Sequence, residues 1–383
     1  MSDPGEFFHA EMTLRQKLWQ INWGLVVIIC ATAVIGFAVL YSAANGSIYP
    51  WAARQMVRFS AGLAIMFTVA LIDTRVWLRY AYLIYLGALA LLAYVDVFGA
   101  VGRGAQRWID LGAFNLQPSE VMKVALVLAL ARCFHAIRFE EIGRIRYLVW
   151  PLVLVAAPAA LVFRQPDLGT ATMLVLAGGA MFFMAGVRFW KFGAVIAGAL
   201  AMIPVAWHFL RDYQKQRILT FFDPESDPMG AGYHIIQSKI ALGSGGIFGK
   251  GFLQGTQSHL NFVPEKQTDF VFTLLAEEFG IVGGLFLLAL YLMLLIYGFA
   301  IAMRSRNQFG RLLAVGVTVT FFLYVFINIA MVMGLLPVVG VPLPLVSYGG
   351  TSMLTLLFSF GLLMGVYIHR DIGVDRSADA ETL

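Results

Sequence analysis

The chain has 383 residues, of which 60% are hydrophobic and 13% charged, and its net charge is +5, with a mean hydropathy of +0.79. Soluble globular chains have roughly 25% charged residues. A chain this apolar lacks the polar surface to cover itself in water, which excludes an ordinary soluble enzyme. A transmembrane barrel would read as about ten-residue stretches of alternating character, whereas residues 18–53 and 312–368 hold no charged residue or His. The expected fold is an all-α polytopic membrane protein.

In chain order, apolar runs separated by charged clusters predict ten transmembrane helices, over about 22–41, 56–73, 77–95, 118–135, 147–163, 168–186, 191–208, 275–300, 312–334 and 350–368. The first run follows Arg15 and Lys17 and ends near Ser42-Ala43-Ala44. It is longer than a signal peptide needs, and many spans follow it, so it reads as an uncleaved first helix. With the N-terminus cytoplasmic, fifteen Lys and Arg fall inside, against six outside the membrane in the short loops and helix ends. The long segment after helix seven is left out of that comparison, because long loops translocate largely regardless of charge. Both termini are thus expected in the cytoplasm. Residues 1–21 read as a cytoplasmic segment, 22–369 as one membrane domain and 370–383 as a cytoplasmic tail. Cys30 and Cys133 fall in or at the ends of apolar helices, where thiols act as small hydrophobes. Two cysteines make neither a disulfide framework nor a Cys-based metal site.

Function is expected on the outer face, whose loops are 96–117, 164–169, 208–268 and 335–349. The first contains Arg103-Gly104-Ala105-Gln106-Arg107-Trp108, and the second is a tight Arg164-Gln165-Pro166-Asp167-Leu168-Gly169 turn. The third, a large loop between helices seven and eight, is longer than structureless connections usually are. It is rich in Gly and aromatics, with a short amphipathic helix expected over 235–242 at the interface. The fourth is Pro-rich and uncharged, and could dip into the membrane against protein or a water-filled cavity.

Glu120 and Lys123 lie three apart on one face of the fourth helix. They read either as a self-neutralising pair with a snorkelling lysine or as the lining of a polar cavity, the usual place for ionisable groups at membrane depth. Asp269, just before an apolar run, is either a helix cap worth about 1 kcal/mol or a general base at the lip of that cavity. The Gly243-Ser244-Gly245-Gly246-Ile247-Phe248-Gly249-Lys250-Gly251 stretch fails the phosphate-loop pattern at Ser244 and Gly251. Nucleotide binding is rejected on that ground. Arg211, Lys215, Arg217, Lys239, Lys250 and Lys266 crowd the long outer loop. They suit either anionic headgroups or a pyrophosphate. No His pair has metal-ligand spacing, so zinc is not expected.

Seven blocks then combine: Arg103 to Trp108; Gln117-Pro118-Ser119-Glu120 with Lys123; Gln165-Pro166-Asp167-Leu168-Gly169-Thr170; Asp223-Pro224-Glu225-Ser226-Asp227-Pro228 with Gly232-Tyr233; Gly243-Ser244-Gly245-Gly246; Thr268-Asp269-Phe270; and Ser347-Tyr348-Gly349-Gly350. In this order and spacing the chain resembles the SEDS family (shape, elongation, division and sporulation) across nearly all its membrane portion. The resemblance implies ten transmembrane helices with both ends cytoplasmic, and a peptidoglycan glycosyltransferase that polymerises lipid II into glycan strands. It also implies a bacterial inner-membrane location with the active site facing the periplasm. Expected partners are lipid II, the nascent strand, a class B penicillin-binding protein and other elongation-complex membrane proteins, with no nucleic acid. Asp223-Pro224-Glu225-Ser226-Asp227 and Gly249-Lys250-Gly251 look like the elongation branch rather than the division branch. Gln267 departs from the family, where a His is expected before Thr268-Asp269.

The implied reaction needs a base for an acceptor hydroxyl and positive charge on the departing phosphates. Asp269 is expected as general base or metal ligand, with Glu120, Lys123, Arg103, Arg107, Asp167, Lys250 and Lys266 binding substrate or lining the cavity. No cofactor is fixed by the motifs; a divalent cation (Mg or Mn) is the candidate, with Asp269 as its protein ligand. Two other classes compete. A flippase of lipid-linked precursor would show paired broken helices in inverted halves, and one Pro/Gly-rich break, before the last helix, is evident. A non-catalytic scaffold would need fewer chemistry-bearing residues outside.

Overall fold

Long apolar stretches leave the backbone no partner but itself, and it closes into helices. The computed structural model describes residues 13–371, apart from 103, 104, 111, 113, 114, 139, 166, 211–214, 216–218, 224–230, 261, 263 and 264. After a short α1 (Leu14–Trp19) come α2 (Trp23–Ala43), α3 (Trp51–Leu71), α4 (Thr74–Phe98), α5 (Pro118–Ala136), α6 (Ile145–Arg164), α7 (Leu168–Ala185) and α8 (Phe189–Phe209). The second half holds α9 (Ala231–Ser244), α10 (Thr256–His259), α11 (Val271–Arg304), α12 (Gln308–Val332) and α13 (Thr351–Ile368). Local chemistry marks the ends. The side chains of Asn22, Asp73, Asp167 and Asn307 accept from the first-turn amides of α2, α4, α7 and α12, the usual N-cap bond. Pro118 opens α5, where its missing N–H costs nothing.

Among these helices, seven are long and apolar enough to cross a membrane: α2, α4, α6, α7, α11, α12 and α13. The expected spans over 56–73, 118–135 and 191–208 fall on α3, α5 and α8, which are not in that group. In α3 and α5 the shortfall has a cause. Arg54, Gln55 and Arg58 sit on α3, and Glu120, Lys123, Arg132 and His135 on α5. Yet α5 is buried along most of its length, from Pro118 to His135, and packs against α4, α7 and α12. It is the central helix, and Glu120 and Lys123 lie inside the bundle rather than at its surface.

Three expectations are corrected. The all-α assignment omits a small antiparallel sheet in the first outer loop, β1 (Ala100–Gly102), β2 (Ala105–Asp110) and β3 (Asn115–Leu116), in the order β1-β2-β3. The helix expected over 235–242 runs over Ala231–Ser244. Its Ile235, Ser238 and Ala241 are buried, and Ser238 bonds Thr273 and the Val332 carbonyl, at 2.9 Å each, so this helix packs on the bundle. Finally, α11 is broken at Gly280 (φ 65, ψ −161), a second break in addition to the Pro-rich one. The glycine-rich loop fills the gap. Lys250 and Gly251 amides donate to the Glu277 and Glu278 carbonyls, and Ile281 and Val282 amides donate to Gly246 and Ile247, all at 3.0–3.1 Å. A Cβ on Gly280 would lie 2.4 Å from both the Gly249 nitrogen and the Ile247 oxygen, so no other residue fits there.

The Pro-rich segment before α13 has no regular structure, and Val341, Leu343, Leu345, Val346 and Ser347 are buried. A Cβ on Gly36, well inside α2, would lie 2.7 Å from the Leu345 oxygen and Val346 Cα. The Tyr291 hydroxyl donates to the Pro344 carbonyl at 2.6 Å. Irregular backbone at the depth of helix interiors is thus sheathed by protein, as it must be.

Candidate functional site

Asp269 lies in a turn leading into α11, and three successive carbonyls of that turn are clasped from outside. The Tyr348 amide donates to Gln267 O at 2.8 Å, Ser347 Oγ to Thr268 O at 2.5 Å, and Asn328 Nδ2 to Asp269 O at 2.9 Å. Gln55 of α3 holds the clasp in turn, donating to Ser347 O at 2.9 Å. The N-cap of α11 is Phe270, so Asp269 does not occupy the cap position, and the Thr268 hydroxyl goes to Glu265 Oε2 at 3.2 Å. The half-buried Asp269 carboxylate faces Gly340, where an added Cβ would stand 3.4 Å from Oδ2. Backbone restraint with a partly open carboxylate suits a proton acceptor whose position must be fixed before substrate arrives.

The second cluster lies along the same helix. Tyr324, Asn328 and Met331 fall on one face of α12. The Tyr324 hydroxyl donates to Glu120 Oε2, Asn328 reaches Asp269, and the Val339 amide donates to Met331 Sδ at 3.4 Å. Lys123 Nζ meets Glu120 Oε1 at 2.7 Å, with the side chains 3% and 4% exposed, and lies 4.2 Å from the Tyr324 ring centroid. The two expected centres are therefore about one helical turn apart on α12.

A third group joins through the Pro-rich segment. Gly169 approaches Val339 so closely that a Cβ would meet the Val339 oxygen at 2.8 Å. Asp167 caps α7, accepting from the Thr170 amide at 3.1 Å and hydroxyl at 3.0 Å. Arg107 Nη1 lies 3.6 Å from Asp167 Oδ2, and Arg107 Nε donates to Gln165 O at 3.2 Å. On the other flank, Arg58 stacks over Tyr348, its guanidinium carbon 4.8 Å from the ring centroid. Arg54, Arg58, Tyr49, Val57, Gly350 and Leu354 line a groove of about 560 Å³. Two arginines beside an apolar wall fit an anionic headgroup with a lipid tail.

The loop lysines go elsewhere. Lys250 Nζ donates to Glu277 Oε1 at 2.8 Å and to Thr256 Oγ1 at 2.7 Å. Lys266 Nζ donates to Ser258 O at 2.8 Å, and burial pushes its pKa below the usual lysine range. The fully buried Glu277 also accepts from the Gln257 and Ser258 amides and the Ser258 hydroxyl. Glu278 accepts from Ser42 and from His259. These contacts hold the loop together. Arg103 lies outside the described residues, as do Arg211 and Arg217. Among the described residues no three of His, Cys, Asp and Glu gather to hold a metal. Asn328, Tyr324, Arg58, Gln55 and Glu265 were not singled out from sequence. The one available signal was a polar Asn and a Tyr in an uncharged apolar stretch.

Sequence and structure comparisons agree on what this chain resembles. The sequence model of the cell cycle protein family FtsW/RodA/SpoVE matches residues 13–372. The peptidoglycan glycosyltransferase MrdB of Escherichia coli K12 is 46% identical over 353 residues, covering 90% of this chain and 93% of that protein. A probable peptidoglycan glycosyltransferase FtsW of Geobacter metallireducens is 36% identical over 363 residues, covering 90% and 94%. Among solved structures, a chain of a peptidoglycan synthase complex described as coordinating polymerization and crosslinking matches with a TM-score of 0.79 and 36% identity, over 92% of this chain and 99% of that one. The rod shape determining protein RodA of Thermus thermophilus matches with a TM-score of 0.70 and 30% identity, over 92% and 98%.

Proposed function

The chain belongs to the FtsW/RodA/SpoVE family, the SEDS proteins its motifs resemble, and is a multi-pass membrane peptidoglycan glycosyltransferase; on that premise we propose that Asp269 is the base that drives its polymerisation of lipid II. The observation behind this reading is the clasp on carbonyls 267, 268 and 269, which fixes a half-buried carboxylate against Gly340. The acceptor sugar hydroxyl gives its proton to Asp269 as its oxygen bonds to the anomeric carbon of the donor. The bond from that carbon to the pyrophosphate breaks from the opposite side, inverting the centre, and lipid pyrophosphate leaves with the electron pair. Pyrophosphate is a good leaving group, so the second, protonated carboxylate of a glycosidase is not needed. Positive charge on its oxygens is, and the Arg54–Arg58 groove lies on the Tyr348 side of the clasp. A resident metal does not fit the described donor set. Among the described residues Asp269 offers one carboxylate there, and a divalent ion needs further oxygens beyond it.

The buried Glu120–Lys123–Tyr324 group and the Arg107–Asp167 pair shape the protein side of the cavity. Helices α3, α5 and α8 complete ten spans with α2, α4, α6, α7, α11, α12 and α13. The fifteen-to-six Lys and Arg bias supports cytoplasmic termini with Asp269 outside. In a bacterium this is the inner membrane, with the site facing the periplasm and residues 22–369 as one domain. The 46% identity to MrdB of E. coli, against 36% to FtsW of G. metallireducens, supports the elongation role over division. The similarity to a chain of a polymerizing and crosslinking complex supports a class B penicillin-binding protein as partner. A flippase is less supported, since both helix breaks, at Gly280 and at 335–350, fall in the second half of the chain rather than in corresponding positions of two halves.

The test is purified protein in lipid bilayers given lipid II, with and without the cognate transpeptidase. Glycan strands and released lipid pyrophosphate are expected. Movement of lipid II across the bilayer with no polymer would overturn the reading.

A further inference from the structure

We propose that Asn328 is a positioning residue that sets the Asp269 carboxylate against the Gly340 wall. The proposal rests on the reading of Asp269 as base. Asn328 sits in α12 with no exposed surface, inside an uncharged apolar stretch. Its Nδ2 makes two donations, to Asp269 O at 2.9 Å and to Val341 O at 2.7 Å. Both partners are carbonyls, which only accept, so the amide orientation follows from its neighbours. Oδ1 is turned away and has no hydrogen-bond partner among the described residues. A buried amide that leaves its oxygen unmatched is a poor choice for stability alone. What it achieves is a bridge between two separate segments. Asp269 carries the carboxylate, and Val341 adjoins Gly340, whose α-carbon that carboxylate faces. The segment around Val341 is irregular, so no helix or strand ladder fixes its distance from Asp269.

The Asp269 carbonyl would otherwise be available to the first turn of α11, but the Thr273 amide donates to Phe270 O at 3.1 Å. The neighbouring helix therefore holds Asp269 just ahead of α11. The Ser347 and Tyr348 clasps act on residues 268 and 267, while Asn328 acts on residue 269 itself and on the wall opposite. Losing the bridge should displace the base relative to the substrate hydroxyl without removing any group that binds substrate. A misplacement of about 1 Å at a reacting group costs about 10²-fold in rate.

The experiment uses full-length protein in bilayers with lipid II, and measures kcat, KM and thermal unfolding for Asn328→Leu and Asn328→Gln. Asn328→Leu should lower kcat about 10²-fold with KM within about twofold and only a modest fall in melting temperature, from the two carbonyls that lose their donor, while Asn328→Gln, which keeps the amide, should recover part of kcat. In an Asp269→Asn background, Asn328→Leu should lower the residual rate no further, because the group it positions is gone. An unchanged kcat in Asn328→Leu overturns the proposal, as does a kcat that falls in step with melting temperature across both variants. If Asp269→Asn alone polymerises normally, the base assignment fails and this inference with it. If Asp269→Asn is inactive and Asn328→Leu is not, the inference alone fails.

Discussion

Removing the Glu120 carboxylate should cost more than removing the whole ion pair. Glu120 and Lys123 are 4% and 3% exposed and 2.7 Å apart, so Glu120→Gln leaves a buried ammonium facing a neutral amide. Breaking a buried pair by deleting one partner costs about 3–5 kcal/mol. Two features of this site lower that figure. The amide oxygen of the new Gln still accepts a hydrogen bond, and the Tyr324 ring, 4.2 Å from Nζ, still attracts the cation by up to about 2 kcal/mol when desolvated. The expected loss is therefore about 2–3 kcal/mol. At about 2 °C per kcal/mol for a long chain, the melting temperature of the purified protein should fall by roughly 4–6 °C. Adding Lys123→Met removes the stranded charge and keeps an apolar chain of similar length. The double variant leaves no buried charge, and its remaining cost is that of the Gln amide N–H groups without a partner, so it should recover the part of the loss that came from the stranded ammonium. Melting shifts that simply add across the four proteins would refute the claim that the pair acts as one unit.

Gly280→Ala should destabilise the loop around residues 245–259, because its Cβ would sit 2.4 Å from two loop atoms and its φ of 65° is unfavourable for Ala by about 1–3 kcal/mol; limited proteolysis should cut that loop sooner than in wild type. Asp167→Asn keeps the α7 cap and should change stability by about 1 kcal/mol or less, so a large loss of polymerisation at unchanged melting temperature would assign Asp167 and Arg107 to substrate rather than to structure. Arg58→Met should raise KM for lipid II about 10- to 100-fold, the equivalent of one charge-assisted hydrogen bond of about 1.5–3 kcal/mol, with kcat less affected; an unchanged KM would remove the groove from the substrate path.

The helices were legible because apolar length needs no partner to be recognised. Residues 350–368 correspond closely to α13, while 312–334 begins four residues inside α12 (Gln308–Val332). The starts of α3 and α11 were placed five and four residues late, at 56 against Trp51 and at 275 against Val271, where polar or turn residues blur the run. The Gly280 break was hidden, since one Gly between Phe279 and Ile281 looks like ordinary helix. Its cause lies about thirty residues upstream in the glycine-rich loop. That loop fails the phosphate-loop pattern, and nothing local in it shows that its amides complete a broken helix. Lys250 and Lys266 illustrate the same limit. Sequence gives a charge but not its partner, and their partners, Glu277 and the Ser258 carbonyl, are long-range or turn-specific. Glu120, Lys123 and Asp269 stand out in the sequence as candidates because ionisable groups are costly beside apolar runs. Asn328 was not, because its importance lies in two carbonyls that the fold brings to it.

The central claim is that the Asp269 carboxylate takes the acceptor proton, and the most direct measurement is glycan polymerisation by purified Asp269→Asn protein that folds and binds the proposed transpeptidase partner as wild type does. Asn keeps the size and the hydrogen-bonding backbone but cannot accept the proton, so the rate should fall by about 10²–10⁴-fold, with no recovery on adding excess Mg²⁺ or Mn²⁺. Recovery with metal would make Asp269 an ion ligand instead, and near-normal polymer without metal would contradict any role for it in the chemistry.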